Sequence, residues 1–408
     1  MPNKIDLTNY EGGREQAYVK HYLLKKYLSR WSYEIGSSWD LLVFVDGFAG
    51  PWGTKDEEFA DASFGIAINA LNGAIDGLFK ERQRLIRGAC IFVEKEPKPF
   101  AKLNAFAKSH STDRVRAVAL KGRFSENIPA IDNYVATLGA NPFRFVFLDQ
   151  KGWVATPMKE LKPFVQRRPC ELLFNLMTSF LTRFVDRRDL TPTYDALYGR
   201  QGVVERIRSL PKGTGKREEL AVEEYCKSLR DICKFKYVSQ AIIMHPQRES
   251  VLYYLVFATN SLHGIEVFKS AEKEASDIQN DVRFETHLKK TGRPLLPGLF
   301  DAAVPKSRLA LTLTNHYSGI AQQKVVKILL ANSSATGIKY KELFGEAMAF
   351  PLVFPDDLVS WLEALKPHIK IQFARSQRRR KPSPFEDDRV FVVNPIALAR
   401  WGTRTLTP

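Results

Sequence analysis

The chain has 408 residues, 44% hydrophobic and 12% aromatic, with a formal net charge of +16. That composition excludes a disordered chain, and the length allows two or three domains, one of them with a full core. So basic a balance favours polyanionic partners, nucleic acid first, although a solvated basic surface gives the same count.

Four cysteines, Cys90, Cys170, Cys226 and Cys233, form no CxxC pair, and Cys90 and Cys170 lie in apolar runs. They are expected to be buried small hydrophobes in a reducing compartment. The seven histidines do not pair with them at ligand spacing, so no metal site is expected. Met1 to Tyr10 is polar and lacks an apolar signal core. No run reaches the roughly 18 apolar residues of a membrane span. The expected location is cytoplasmic.

Tyr18, Tyr22, Leu23, Tyr27, Leu28 and Trp31 recur at helical spacing, which predicts a helix from about Glu15 to Ile35. Leu41 to Asp46 is a short continuous apolar run, as in a strand buried on both faces. A glycine-rich turn follows, then a helix over Ser63 to Arg87 with Ser63 as candidate N-cap. The alternation continues with strands at Ala89 to Glu94, Val115 to Leu120, Phe143 to Asp149 and Glu171 to Leu176. Helices are predicted at Lys98 to Ser109 and Ser125 to Leu138. Such alternation argues an α/β, Rossmann-like, doubly wound parallel sheet.

A helical insert, about Asp186 to Cys233, either caps a site or pads the fold. Phe235 to Met244 and Val251 to Ala258 are then joined by a short polar connection, so the pair is an antiparallel hairpin. Five parallel strands plus an antiparallel hairpin match the class I methyltransferase sheet better than a plain dinucleotide-binding fold. This domain is expected over residues 1–275, followed by a linker over 276–310 broken by Pro294 and Pro297.

The sharpest local signal follows the first strand: Asp46-Gly47-Phe48-Ala49-Gly50-Pro51-Trp52-Gly53. Glycines at a strand end let the backbone turn sharply and approach a ligand closely. The run resembles the D-x-F-A-G-x-G form of the methyltransferase loop that holds S-adenosyl-L-methionine. By that resemblance Asp46, Phe48, Ala49 and Gly50 lie against the methionine part of the cofactor, with Gly47 and Gly53 shaping the turn. Glu94, with Lys95 beside it, ends the second strand, where a carboxylate can accept hydrogen bonds from ribose hydroxyls. It lies far beyond the roughly 20 positions that a dinucleotide fingerprint expects. At the third strand end stand Gly122 and Arg123, with no acid to hold the adenine amino group.

The fourth strand ends Asp149-Gln150-Lys151-Gly152-Trp153. In enzymes that methylate base amines, an acid here accepts from the amine and an aromatic stacks on the base. Asp149 and Trp153 are the candidates, although Trp153 fits ordinary packing equally well. Asn175 and Ser179 are further polar candidates at the fifth strand end, or else loop caps.

These segments, with the Leu173-Phe174-Asn175 strand and the Tyr253 to Asn260 strand, resemble the three-Cys-motif partner family of methyltransferase-like proteins. The resemblance implies a partner protein carrying three cysteines, similar to radical-type iron–sulfur enzymes. It implies no known substrate.

Residues 311–408 read as a separate unit. Predicted helices at Ile320 to Ala331, Lys339 to Ala347 and Pro355 to Leu365 precede strands at Ile369 to Phe373 and Val390 to Val393. Three short helices and a two-stranded ribbon make a winged helix-turn-helix domain. Its wing carries Arg375, Arg378, Arg379, Arg380 and Lys381, which either grip phosphates or remain solvated on a protein-docking domain. Two functions remain open: a methyltransferase acting on or with nucleic acid, and a catalytically inactive DNA-binding or scaffold partner of the iron–sulfur protein.

Overall fold

The computed structural model describes residues 7, 10, 14–50, 59–150, 152, 156–167, 169–291, 307–332, 336–374 and 381–404. In chain order, α1 (Glu15–Gly36) leads into β1 (Leu41–Asp46), α2 (Ser63–Arg82), β2 (Arg87–Glu94) and α3 (Pro97–His110). Next come β3 (Val115–Lys121), α4 (Phe124–Leu138), β4 (Phe143–Leu148), α5 (Met158–Val165) and β5 (Cys170–Leu176). A helical stretch follows: α6 (Thr178–Phe184), α7 (Thr191–Tyr198), α8 (Val203–Arg208) and α9 (Lys216–Asp231). The strands β6 (Tyr237–Met244) and β7 (Val251–Thr259) and the long helix α10 (Leu262–Thr291) complete the larger unit.

The strands form one sheet in the order β3-β2-β1-β4-β5-β7-β6. β1 to β5 are parallel, and β7 runs antiparallel to both β5 and β6. Every residue of β1, β4 and β5 is buried, which is why they show no alternation and carry only Arg144, Glu171, Asn175 and the terminal Asp46 as polar residues. The strand order reverses between β1 and β4. In such sheets the crevice for ligands lies there, at the carboxyl ends of the strands.

Some boundaries depart from the sequence reading. α2 stops at Arg82 because Gln83 turns left-handed (φ 52°) and closes its N–H onto Leu78 and Phe79 carbonyls. Ser63 is the first helical residue rather than the cap, and its hydroxyl is spent on Asp46. Residues 276–291, expected in a linker, instead continue α10. Several of its polar side chains are buried and paired: Gln279 Oε1 accepts from Met244 N at 2.7 Å, and Arg283 donates to the His245 and Arg248 carbonyls. Linker residues 292–306 lie outside the described residues.

The smaller unit starts with α11 (Arg308–Ala331), capped by Ser307 well before the expected start at Ile320. It continues through β8 (Ile338–Lys339), α12 (Tyr340–Ala347), α13 (Pro355–Ala364), β9 (Ile369–Gln372), β10 (Arg389–Val392) and α14 (Pro395–Arg404). Its sheet has three strands, not two, in the order β8-β10-β9; β8 is too short to give a periodic signal. The units meet through buried polar contacts. Lys269 of α10 donates to Glu272 Oε2 (2.5 Å) and Phe350 O (2.8 Å), and Glu272 Oε1 accepts from Leu352 N (2.7 Å). Ser239 donates to Met348 O, and the Tyr254 and Tyr317 hydroxyls meet at 3.0 Å. Among the described residues, no helix is long and apolar enough to cross a membrane.

Candidate functional site

The carboxyl ends of all five parallel strands open into one cavity of about 1050 Å³. β1 contributes Gly47, Phe48 and Gly50; β2 contributes Glu94 and Lys95; β3 contributes Gly122 and Arg123. β4 adds Asp149 and Gln150, β5 adds Asn175, and α1 brings Lys20 and His21. A volume near 1000 Å³ suits a large organic ligand or two smaller ones.

The turn after β1 is held from beneath. Asp46 is fully buried, and its carboxylate accepts from Phe48 N (3.0 Å) and Ser63 Oγ (2.5 Å). Burial pushes this carboxyl up to about 7, against the lowering effect of those two hydrogen bonds. Ala49 is buried too, with its N–H on Val93 O at 2.9 Å. Asp46 and Ala49 therefore shape the turn from behind, while Gly47, Phe48 and Gly50 face the cavity. A Cβ on Gly47 would come within 2.6 Å of Leu148 Cδ2 and 2.9 Å of Phe124 Cδ2, so any larger residue there has to displace those buried side chains. Gly53 lies outside the described residues.

At the β2 end Glu94 is 4% exposed, and its Oε1 accepts from Glu96 N at 2.7 Å. Among the described residues no donor reaches Oε2, which leaves an acceptor for a ligand hydroxyl. Lys95 and Arg123 stand at the rim with exposed side chains, near Glu96 and Glu126. Gly122 takes φ +127°, a conformation that glycine tolerates, and its N–H closes onto Glu94 O at 3.1 Å.

Opposite stands a polar cluster that the sequence reading found only in part. Lys20 donates to Asp149 Oδ2, and Asn175 Nδ2 donates to Asp149 Oδ1 at 2.7 Å. Burial pushes the Asp149 carboxyl up, but the Lys20 charge and these hydrogen bonds outweigh it and hold it below its usual range. His21 is pushed down to about 3 by burial and the Lys20 charge, so its imidazole is neutral. Gln150 is 1% exposed. Lys20 shares the buried face of α1 with Leu24 and Tyr27, and it and His21 stand more than a hundred positions from Asp149. No local spacing announces that contact. Trp153 lies outside the described residues, and Ser179 does not line the cavity.

Of the basic wing, Arg375, Arg378, Arg379 and Arg380 lie outside the described residues. Lys381 pairs with Asp356 of α13 at 3.3 Å, and Lys273 of α10 reaches the same carboxylate at 3.6 Å. The solvent-facing positions of α13 are Asp356, Ser360, Glu363 and Ala364, with no cation among them. Among the described residues no group of three or more His, Cys, Asp or Glu side chains comes together as for a metal ion.

No protein-family model matches the sequence, and no curated protein matches it. Among solved structures, the chain is similar to the O-methyltransferase from Bacillus cereus in complex with SAH. The likeness covers 58% of this chain and 80% of that one, at 12% identity and a TM-score of 0.29.

Proposed function

We propose that the chain binds S-adenosyl-L-methionine at the carboxyl ends of β1 to β3 and works as a class I methyltransferase. The observation that carries this reading is the meeting of the glycine turn and Glu94 in one cavity at the point where the strand order reverses. The residues fit the cofactor. The Gly47–Gly50 turn offers close backbone approach, Glu94 Oε2 offers an acceptor for ribose, and Phe124 offers an apolar wall. The cofactor supplies a sulfonium methyl group for transfer to a nucleophile. Asp149, fixed by Lys20 and Asn175, stays ionised and orients the acceptor.

The acceptor is proposed to belong to nucleic acid, on the strength of the net charge of +16 and the arginine wing of a winged-helix unit. The lack of a cation among the solvent-facing positions of α13 favours a second reading for that unit, docking to a protein such as the three-cysteine iron–sulfur partner. The test is transfer of labelled methyl from S-adenosylmethionine to DNA and RNA, run with wild type, Asp149→Ala and Arg378/Arg379/Arg380→Ala. Transfer that Asp149→Ala abolishes, and that the triple variant weakens with a flatter salt dependence, supports the proposal. A wild type that binds cofactor yet labels neither polymer refutes the nucleic-acid assignment, and one that binds no cofactor favours the scaffold reading.

A further inference from the structure

The α1 side of the cavity carries polar groups that the protein itself does not satisfy. Gln150 is 1% exposed, and neither its Nε2 nor its Oε1 has a hydrogen-bond partner among the described residues. Asn175 is 3% exposed, and its Oδ1 is likewise unpartnered. The orientation of the Asn175 amide is forced. Ionised Asp149 only accepts, so the atom at 2.7 Å from it must be the NH₂ group, and the oxygen points elsewhere. Gln16 Oε1 and Glu160 Oε2, which also line the cavity, lack partners among the described residues. Buried polar atoms left unpaired are destabilising, so such a cluster in a cavity wall marks a place where a ligand completes the bonds.

The chemistry of that ligand follows from the count. The unpaired atoms are three oxygens that need donors besides one Gln150 amide, which offers a donor beside an acceptor. Lys20 is already matched by Asp149, so it does not call for an anion. A carboxylate or phosphate would bring no N–H and would face the Asp149 charge. We infer that Gln150 and Asn175 form an acceptor subsite for a neutral planar group with an N–H donor beside a lone pair. Amino-bearing nucleobases and primary carboxamides both present that edge. That the bound group accepts methyl rests on the methyltransferase reading; the subsite's binding preference does not.

The test titrates the full chain with cytidine, nicotinamide and nicotinate, with and without S-adenosylhomocysteine. Cytidine or nicotinamide is expected to bind, with nicotinate weaker by about tenfold or more. Gln150→Met, similar in size but without the amide, should lose that binding while melting normally. Gln150→Glu, of the same shape, should lose it too at neutral pH and serves if the Met variant fails to fold. Binding of cytidine alone identifies a nucleobase source, and of nicotinamide alone a carboxamide source. Equal binding of nicotinate, unchanged binding by both variants, or no binding of either neutral probe overturns the inference. Probe binding without any S-adenosylhomocysteine binding keeps the subsite and removes the methyltransferase reading.

Discussion

Replacing Lys20 by Met tests the polar cluster most severely. Lys20 and Asp149 have side chains 11% and 21% exposed, so the pair is largely but not wholly withdrawn from water. Removing one partner of a fully buried pair costs about 3–5 kcal/mol, and the residual exposure here lowers the expectation to about 2–3 kcal/mol at pH 8. The loss depends on pH in a definite direction. In the wild type the Asp149 carboxyl is held below its ordinary value, so its contribution is present above that value and is lost as pH falls. Without Lys20, burial dominates and the folded-state value rises above the unfolded one. Asp149 can then take up a proton at low pH, and the destabilisation grows as pH rises. Urea unfolding at pH 5 and pH 8 should show the smaller loss at pH 5, and Asp149→Asn in the Lys20→Met background should recover much of it. An equal loss at both pH values, or a loss below about 0.5 kcal/mol as for exposed pairs, would refute the electrostatic coupling.

Two other substitutions probe the frame around the site. Asp46 is raised to about 7 from 3.8, so the folded state holds its proton more tightly, and stability falls as pH rises between those values. At about 1.4 kcal/mol per pH unit, Asp46→Asn should abolish a loss of roughly 4 kcal/mol at most, visible as a flatter unfolding profile from pH 4 to 8. An unchanged profile would show that other groups cause the slope. Lys269→Met should destabilise by about 3–5 kcal/mol by stranding Glu272. Adding Glu272→Met should recover most of that in denaturant titrations, but not all, because the Leu352 N–H loses its acceptor. Full additivity of the two losses would contradict the pairing.

The parallel strands were legible because burial on both faces makes them continuous apolar runs, as in Leu41 to Val45. The hairpin was legible from its short polar connection. The second half of α10 was not. Gln279, Asn280, Arg283 and Thr286 are buried, yet in sequence they resemble a solvated linker. Gln279 and Arg283 bond backbone groups of β6 and the loop after it, and no local pattern encodes those contacts. The site divides in the same way. Its glycine turn and Glu94 are local features of strand ends. The Lys20–Asp149–Asn175 cluster exists only because α1 folds back over β4 and β5.

The central claim is the cofactor site, and calorimetric titration with S-adenosylhomocysteine tests it most directly, with Gly50→Arg as the control. The account predicts saturable binding at a single site by the wild type, lost in Gly50→Arg although that variant melts normally. No binding by the wild type, or unchanged binding by a folded Gly50→Arg variant, would contradict it.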